Sequence, residues 1–183
     1  MARRRHSVLD AGWHRQRRHG LAAGSGVNPI YKQPVSVLVV IHTPQRDVLV
    51  LERAGSPGLW QSVTGSREAD ESLATTALRE VAEETGIVAE AADLTDWRLA
   101  NRFPILLRWR GRYAPGVTHN TEHVFSLCVP TAVAVRLAPA EHTASAWLPW
   151  HLAAGRVFSW TNRDAIQLVA QRLSAAVPPR SAS

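Results

Sequence analysis

From Tyr31 onward, the pattern of apolar and polar positions predicts alternating strands and helices. Val35 to Ile41 (VSVLVVI) is almost unbroken apolar sequence, the signature of a strand covered on both faces. TPQRD turns the chain, and Val48 to Arg53 (VLVLER) returns as a second strand. A loop with Gly55, Pro57 and Gly58 follows, and LWQSVTG leads on to a helical stretch. Asp96 to Phe103 and Ile105 to Arg112 read as two strands parted near Pro104. Tyr113 to Glu122 (YAPGVTHNTE) reads as a turn-rich loop, and His123 to Val129 as a strand. Val133 to Leu137 and His142 to Leu148 read as short extended pieces, and Trp150 to Ala154 as one helical turn. Asn162 to Ala175 is amphipathic, with Ile166, Val169, Ala170 and Leu173 on one side.

The most informative stretch is Gly65 to Ile87, GSREADESLATTALREVAEETGI. It predicts a loop, then a helix opened by Ser72 as N-cap and closed by Gly86 as a left-handed C-terminal residue. Leu73, Ala74, Ala77, Leu78 and Val81 share an apolar face of that helix. Glu80, Glu83 and Glu84 fall together on a neighbouring face, with Arg79 one turn before Glu83. Like charges at this spacing repel by a few tenths of a kcal/mol each, roughly. A hard divalent cation reverses that sign, because Mg²⁺ takes carboxylate oxygens and leaves room for phosphate. From spacing alone, a metal site and a solvated acidic face both remain open.

Charge changes the picture only at one end. The formal charge is +6, yet residues 1–30 hold six arginines against Asp10 and so carry most of it. Residues 1–30 are expected to be a basic, disordered extension, 31–176 the folded domain, and 177–183 a frayed tail. The extension has no apolar run of membrane-spanning length, and weak nucleic-acid contact is the one role its charge suggests. The sole cysteine, Cys128, lies in the apolar run VFSLCV and reads as a small buried hydrophobe. The expectation is a reduced, cytoplasmic protein without membrane association.

The full pattern is Gly65, five residues, Glu71, seven residues, Arg79-Glu80, an apolar residue, any residue, Glu83-Glu84, any residue, Gly86, an apolar residue. It resembles the Nudix box with its defining positions filled, and so many fixed types at fixed spacing make a strong signal. One departure is Asp70, where Nudix loops often carry glycine. The resemblance implies an α/β fold, a Nudix-type α/β/α sandwich with a mixed β-sheet. It also implies hydrolysis of a phosphoanhydride in a small-molecule substrate, with Mg²⁺ as cofactor and Mn²⁺ as its substitute.

Further stretches, YKQPVSVLVVI, LWQSVTGS, RYAPGVTHNTE, EHTASAWL and SWTNRDAI, resemble the branch of the family that acts on dihydroneopterin triphosphate in folate biosynthesis. That resemblance runs from about Tyr31 to Ile166. It implies metal ligands at Glu80, Glu84 and Glu141, the last chosen over the other downstream acids Glu122 and Asp164. It leaves the catalytic base between Glu83 and Glu80, with Arg79 pairing to a glutamate of the box. It implies substrate contacts at Lys32, Arg53, Thr64, Phe103, Pro104, Ile105, Leu106 and Ser159. Trp60 and Trp160 are expected to pack. General hydrolysis of (deoxy)nucleoside triphosphates is the alternative activity, and a non-catalytic binding module is a distant third.

Overall fold

The structure, a computed structural model, describes residues 31–175. The arginine-rich extension and the expected C-terminal tail lie outside the described residues. Seven strands form one sheet: β1 (Val35–His42), β2 (Asp47–Arg53), β3 (Trp60–Gln61), β4 (Val63–Ser66), β5 (Leu94–Pro104), β6 (His119–Cys128) and β7 (His142–Pro149). The main path runs β3-β2-β1-β6-β5, with β4 paired to β1 and β7 to β2. β1 and β6 are parallel and the remaining pairs antiparallel, so the sheet is mixed. The helices are α1 (Leu73–Thr85), α2 (Leu107–Arg110), α3 (Trp150–Arg156) and α4 (Trp160–Ala175).

β1 shows how sequence becomes layers. Its side chains alternate, Val37, Val39 and Ile41 packing with Ala77 and Val81 of α1. Leu38 and Val40 face the other way, into Ala153 and Ala154 of α3 and Ala165, Ile166 and Val169 of α4. The expected α/β/α sandwich is therefore present, with β1 buried on both faces. α1 begins and ends where its caps predict: Ser72 accepts from the Thr75 N–H, and Gly86 sits at φ 72°.

Five readings of the sequence need correction. Ile105 to Arg112 is not a strand, because β5 is an edge with β6 as its partner and the chain beyond Pro104 has no strand beside it. It turns instead into α2, leaving Leu107 79 % exposed. The loop from Tyr113 ends sooner than expected, since His119 to Glu122 already pair with β1 and β5. Val133 to Leu137 joins no strand; the Arg136 N–H donates to the Thr85 carbonyl, and Val135 and Leu137 pack on the α1-side core. Cys128 is exposed: Leu127 and Val129 enter that core, and the residue between them points the opposite way. Trp60 packs as expected, whereas Trp160 opens α4 with about half its surface exposed.

Candidate active site

The site is assembled over β4 by α1 and by the start of β7. Gly65 of β4 lies under Glu80 so closely that an added Cβ would fall 1.8 Å from the Glu80 Cδ. Only hydrogen at this position lets the helix settle with its carboxylates over the sheet. Glu80 and Glu84, one turn apart, both point inward, and Glu84 is 1 % exposed. Glu83 does not join them: its side chain is 57 % exposed, and it meets Arg79 at 3.4 Å. The three carboxylates of the sequence pattern are thus divided between two inside and one outside.

Arg79 ties the loop to the helix. Its guanidinium donates to Glu71 at 2.8 and 3.1 Å, to Glu80 Oε1 at 2.8 Å and to the Ser66 carbonyl at 3.1 Å. Its main partner is Glu71, whose carboxyl it holds down at about 2. The left-handed turn of this loop falls on Ala69, at φ 43°, and not on Asp70. The Gln33 side chain donates to the Ala69 carbonyl there at 2.6 Å.

Far along the chain, Glu141 and His142 meet Glu84. Ligand atoms of Glu84, Glu141 and His142 lie within 4.8 Å of one another, and His142 Nε2 is in hydrogen-bond contact with Glu84 Oε2 at 2.9 Å. Burial pushes the Glu84 carboxyl well up, reinforced by the Glu141 charge. Burial, then the Glu84 charge, lifts Glu80 to about 7. Burial also pushes His142 down, favouring neutral imidazole. Two buried carboxyls under mutual repulsion, in an oxygen-rich set with one imidazole, fit a divalent cation, whose charge would let both ionise. Glu80 lies outside the tight cluster, its Oε1 held by Arg79.

Cations surround these acids. Lys32 Nζ donates to Ser66 Oγ at 3.3 Å and feels the charges of Glu80 and Glu141. Arg53 donates to Gln61 at 2.7 Å and feels those of Glu84 and Glu141. Gln61 in turn donates to Thr64 Oγ1 at 3.2 Å, and the Thr64 N–H supports the Glu84 carboxylate. Arg108 and Arg112, on and just after α2, lie close enough to act on Arg53, and Arg112 on Lys32 as well. The Lys32 N–H donates to the Arg112 carbonyl at 2.9 Å, which pins that loop beside the site.

The remaining expected contacts do not gather here. Phe103 and Pro104 end the edge strand β5, opposite Asn120 and His119. Ile105 is buried, Leu106 is half exposed, and Ser159 lies before α4, accepting from Asn162. By strand pairing, Phe103 faces the α4 side of the sheet, away from the carboxylates. An open recess of about 550 Å³, lined by Tyr31, Arg110, Tyr113 and Gly116 to Thr118 among others, lies at this end of the sheet.

His142, Arg108 and Arg112 carried no sequence signal of their own. His142 adjoins Glu141, and strict strand alternation would separate the two. The register shift between Glu52 and Arg53, where β7 begins, brings both toward Glu84.

Comparison with known proteins agrees with this geometry. The NUDIX domain model matches residues 32–169. The chain is 45 % identical over 141 residues to dihydroneopterin triphosphate diphosphatase of Escherichia coli K12, covering 75 % of this chain and 93 % of that protein. It is 38 % identical over 140 residues to the Haemophilus influenzae protein of that name, covering 75 % and 87 %. The solved structure of the E. coli dihydroneopterin triphosphate pyrophosphohydrolase superposes with a TM-score of 0.70 at 43 % identity, covering 78 % of this chain and 99 % of that one. With the box helix, the mixed sheet and the converging carboxylates in place, the chain belongs to the NUDIX domain family and is a Nudix hydrolase.

Proposed function

We propose that the chain hydrolyses 7,8-dihydroneopterin 3′-triphosphate to dihydroneopterin monophosphate and diphosphate, with Mg²⁺ as its natural ion and Mn²⁺ as a substitute. The observation that carries this reading is the cluster of Glu84, Glu141 and His142 flanked by Lys32 and Arg53, a site for a cation and a polyphosphate together. The similarity to two bacterial dihydroneopterin triphosphate diphosphatases supports the choice of substrate.

In this reading Glu80, Glu84 and Glu141 hold the metal. A divalent ion there would neutralise phosphate charge and lower the pKa of water. Lys32 and Arg53 draw the triphosphate against the carboxylates, and Arg108 and Arg112 extend the positive field along it. Glu80, which points inward, is the acid placed to orient the attacking water, while Glu83, on the outer side of α1, supports catalysis through its pairing with Arg79. Arg79 keeps Glu80 and the loop in register and is a positioning residue. No helix among the described residues is long and apolar enough to cross a membrane.

The test is kcat/KM for dihydroneopterin triphosphate beside dATP, dGTP, GTP and 8-oxo-dGTP under identical Mg²⁺. The expected result is a preference of at least tenfold for the pterin, about 1.4 kcal/mol of differential transition-state binding. A tenfold preference for any nucleotide would replace this reading with general nucleoside triphosphate hydrolysis.

A further inference from the structure

One buried acid has no part in the phosphate chemistry. Glu122 is the fourth residue of β6, directly opposite Ser36 of β1 and Asn101 of β5. It alternates with Val124 toward the α4 side of the sheet. The residue is 6 % exposed, and its Oε1 has no hydrogen-bond partner. The Thr161 hydroxyl supports the carboxyl, while burial lifts it to about 7. An acceptor buried without a donor is costly to the fold, and no protein donor relieves it at Oε1.

The surroundings are arranged as a polar seat. Ser62 N–H donates to Asn162 Oδ1 at 2.7 Å, Asn162 Nδ2 donates to Ser159 Oγ at 2.9 Å, and Ser159 meets the Thr161 hydroxyl at 3.2 Å. That chain ends on Glu122 and fixes one side of its carboxyl. On its other flank, Asn120 Nδ2 donates to Ser36 Oγ at 2.7 Å. Phe103, opposite Asn120, puts an aromatic ring on the same face of the sheet.

The chemistry that fits is a flat ring with two parallel N–H donors. A 2-amino-4-oxo pterin offers them, its 2-amino group beside the ring N3–H, and a carboxylate accepts both as it would a guanidinium fork. Reach is also suitable. Ser66, Ser36 and Glu122 lie side by side on β4, β1 and β6, so Glu122 is about 10 Å from the strand beneath Glu80. The three-carbon arm and phosphates of the substrate span such a distance around the end of the sheet from which Lys32 projects.

We propose that Glu122 is a specificity-determining residue that recognises the head group of the substrate through the paired N–H donors of its 2-amino-4-oxo ring. Thr161, Asn162 and Ser159 hold the carboxylate in place, and Phe103 flanks the ring. This assignment rests on the dihydroneopterin triphosphate reading.

The experiment compares wild type with Glu122→Gln on dihydroneopterin triphosphate, dGTP and dATP, with Kd for neopterin as a readout independent of turnover. Wild type should prefer the pterin over dATP, and a reverse preference overturns the substrate reading together with this assignment. Glu122→Gln should lower kcat/KM for the pterin by ten- to a hundredfold, mainly through KM, and weaken neopterin binding at least tenfold. dGTP, which presents the same donor pair, should lose in parallel, whereas dATP, which lacks it, should stay within threefold. Thr161→Val is the second variant, in case the first folds poorly, and should raise KM severalfold for the pterin and for dGTP but not for dATP. A wild type that prefers the pterin, joined to a Glu122→Gln that binds neopterin normally, overturns this inference and leaves the function standing. Equal losses on pterin and dATP in both variants also overturn it, because they mark a merely structural residue.

Discussion

α1 and α4 cover opposite faces of one sheet and each buries six residues, yet they bury different things. α4 buries Thr161, Asn162, Ala165, Ile166, Val169 and Ala170, all neutral. α1 buries Thr76, Ala77, Glu80, Val81, Glu84 and Thr85, two of them carboxyls one turn apart. The first is what a stable amphipathic helix looks like. The second concentrates like charge where desolvation is worst, and Arg79, the Ser72 cap and Gly86 hold the helix in place regardless. The lesson is that α1 is built for a charge the polypeptide itself does not contain.

The largest expected effect breaks the α1 side of this comparison. Glu84→Gln keeps size and removes charge, so kcat should fall about a thousandfold, roughly 4 kcal/mol in the barrier. The metal-free variant should nevertheless melt at or above wild type, because a buried charge has been neutralised. Glu141→Gln should lose about a hundredfold in kcat and need more Mg²⁺. Steady-state rates over a Mg²⁺ series and calorimetry in chelator check both. A metal-free Glu84→Gln that melts well below wild type contradicts the comparison.

The matched change on α4 should do the opposite. Ile166→Ala deletes a fully buried side chain and should cost about 3 kcal/mol of stability. At temperatures where the variant is folded, its kcat should stay near wild type. Urea melts read alongside kcat at low temperature would show whether this face is scaffold.

pH sharpens the contrast without mutation. Glu80 has its folded pKa raised to about 7 from 4.5, and Glu84 is raised too, so the folded metal-free protein holds more protons than the unfolded chain between those values. Through these groups, and through Glu122 on the α4 side, also raised to about 7, stability falls as pH rises from about 4.5 to 7, opposed by His42 and His142, which burial holds down. Glu71 is shifted the other way, to about 2, and its contribution, present above 4.5, is lost as pH falls toward 2. Melting in chelator at pH 5 and pH 8 should show the higher Tm at pH 5, and added Mg²⁺ should narrow the gap. A metal-free Tm that climbs from pH 5 to 8 would remove the electrostatic basis of the comparison.

The smallest effect concerns the loop before α1. Ala69 sits at φ 43°, a region that disfavours a side chain. Ala69→Gly should stabilise by about 0.5 kcal/mol, the relief of strain being partly cancelled by the freer unfolded chain. Thermal melts resolve a change of this size, and kcat should not move.

The sequence by itself determined the elements whose causes are local. Ser72 and Gly86 mark the ends of α1 because capping involves neighbours within a few residues. The apolar run of β1 marks its burial on both faces because alternation is a property of one strand. The box spacing marked the carboxylates of α1, and the downstream likeness marked Glu141, Lys32 and Arg53. Tertiary structure decided what depends on partners. Glu83 is left outside because β4 meets the other side of α1, and His142 reaches Glu84 across 58 positions through a register shift at β2. Ile105 to Arg112 has strand-like apolar residues but no strand to pair with, so it turns instead of extending. Glu122 looked like any downstream acid until the parallel pairing of β6 with β1 placed it beneath α4. Periodicity tells which face of an element is apolar; sheet order and register alone tell which other element that face will meet.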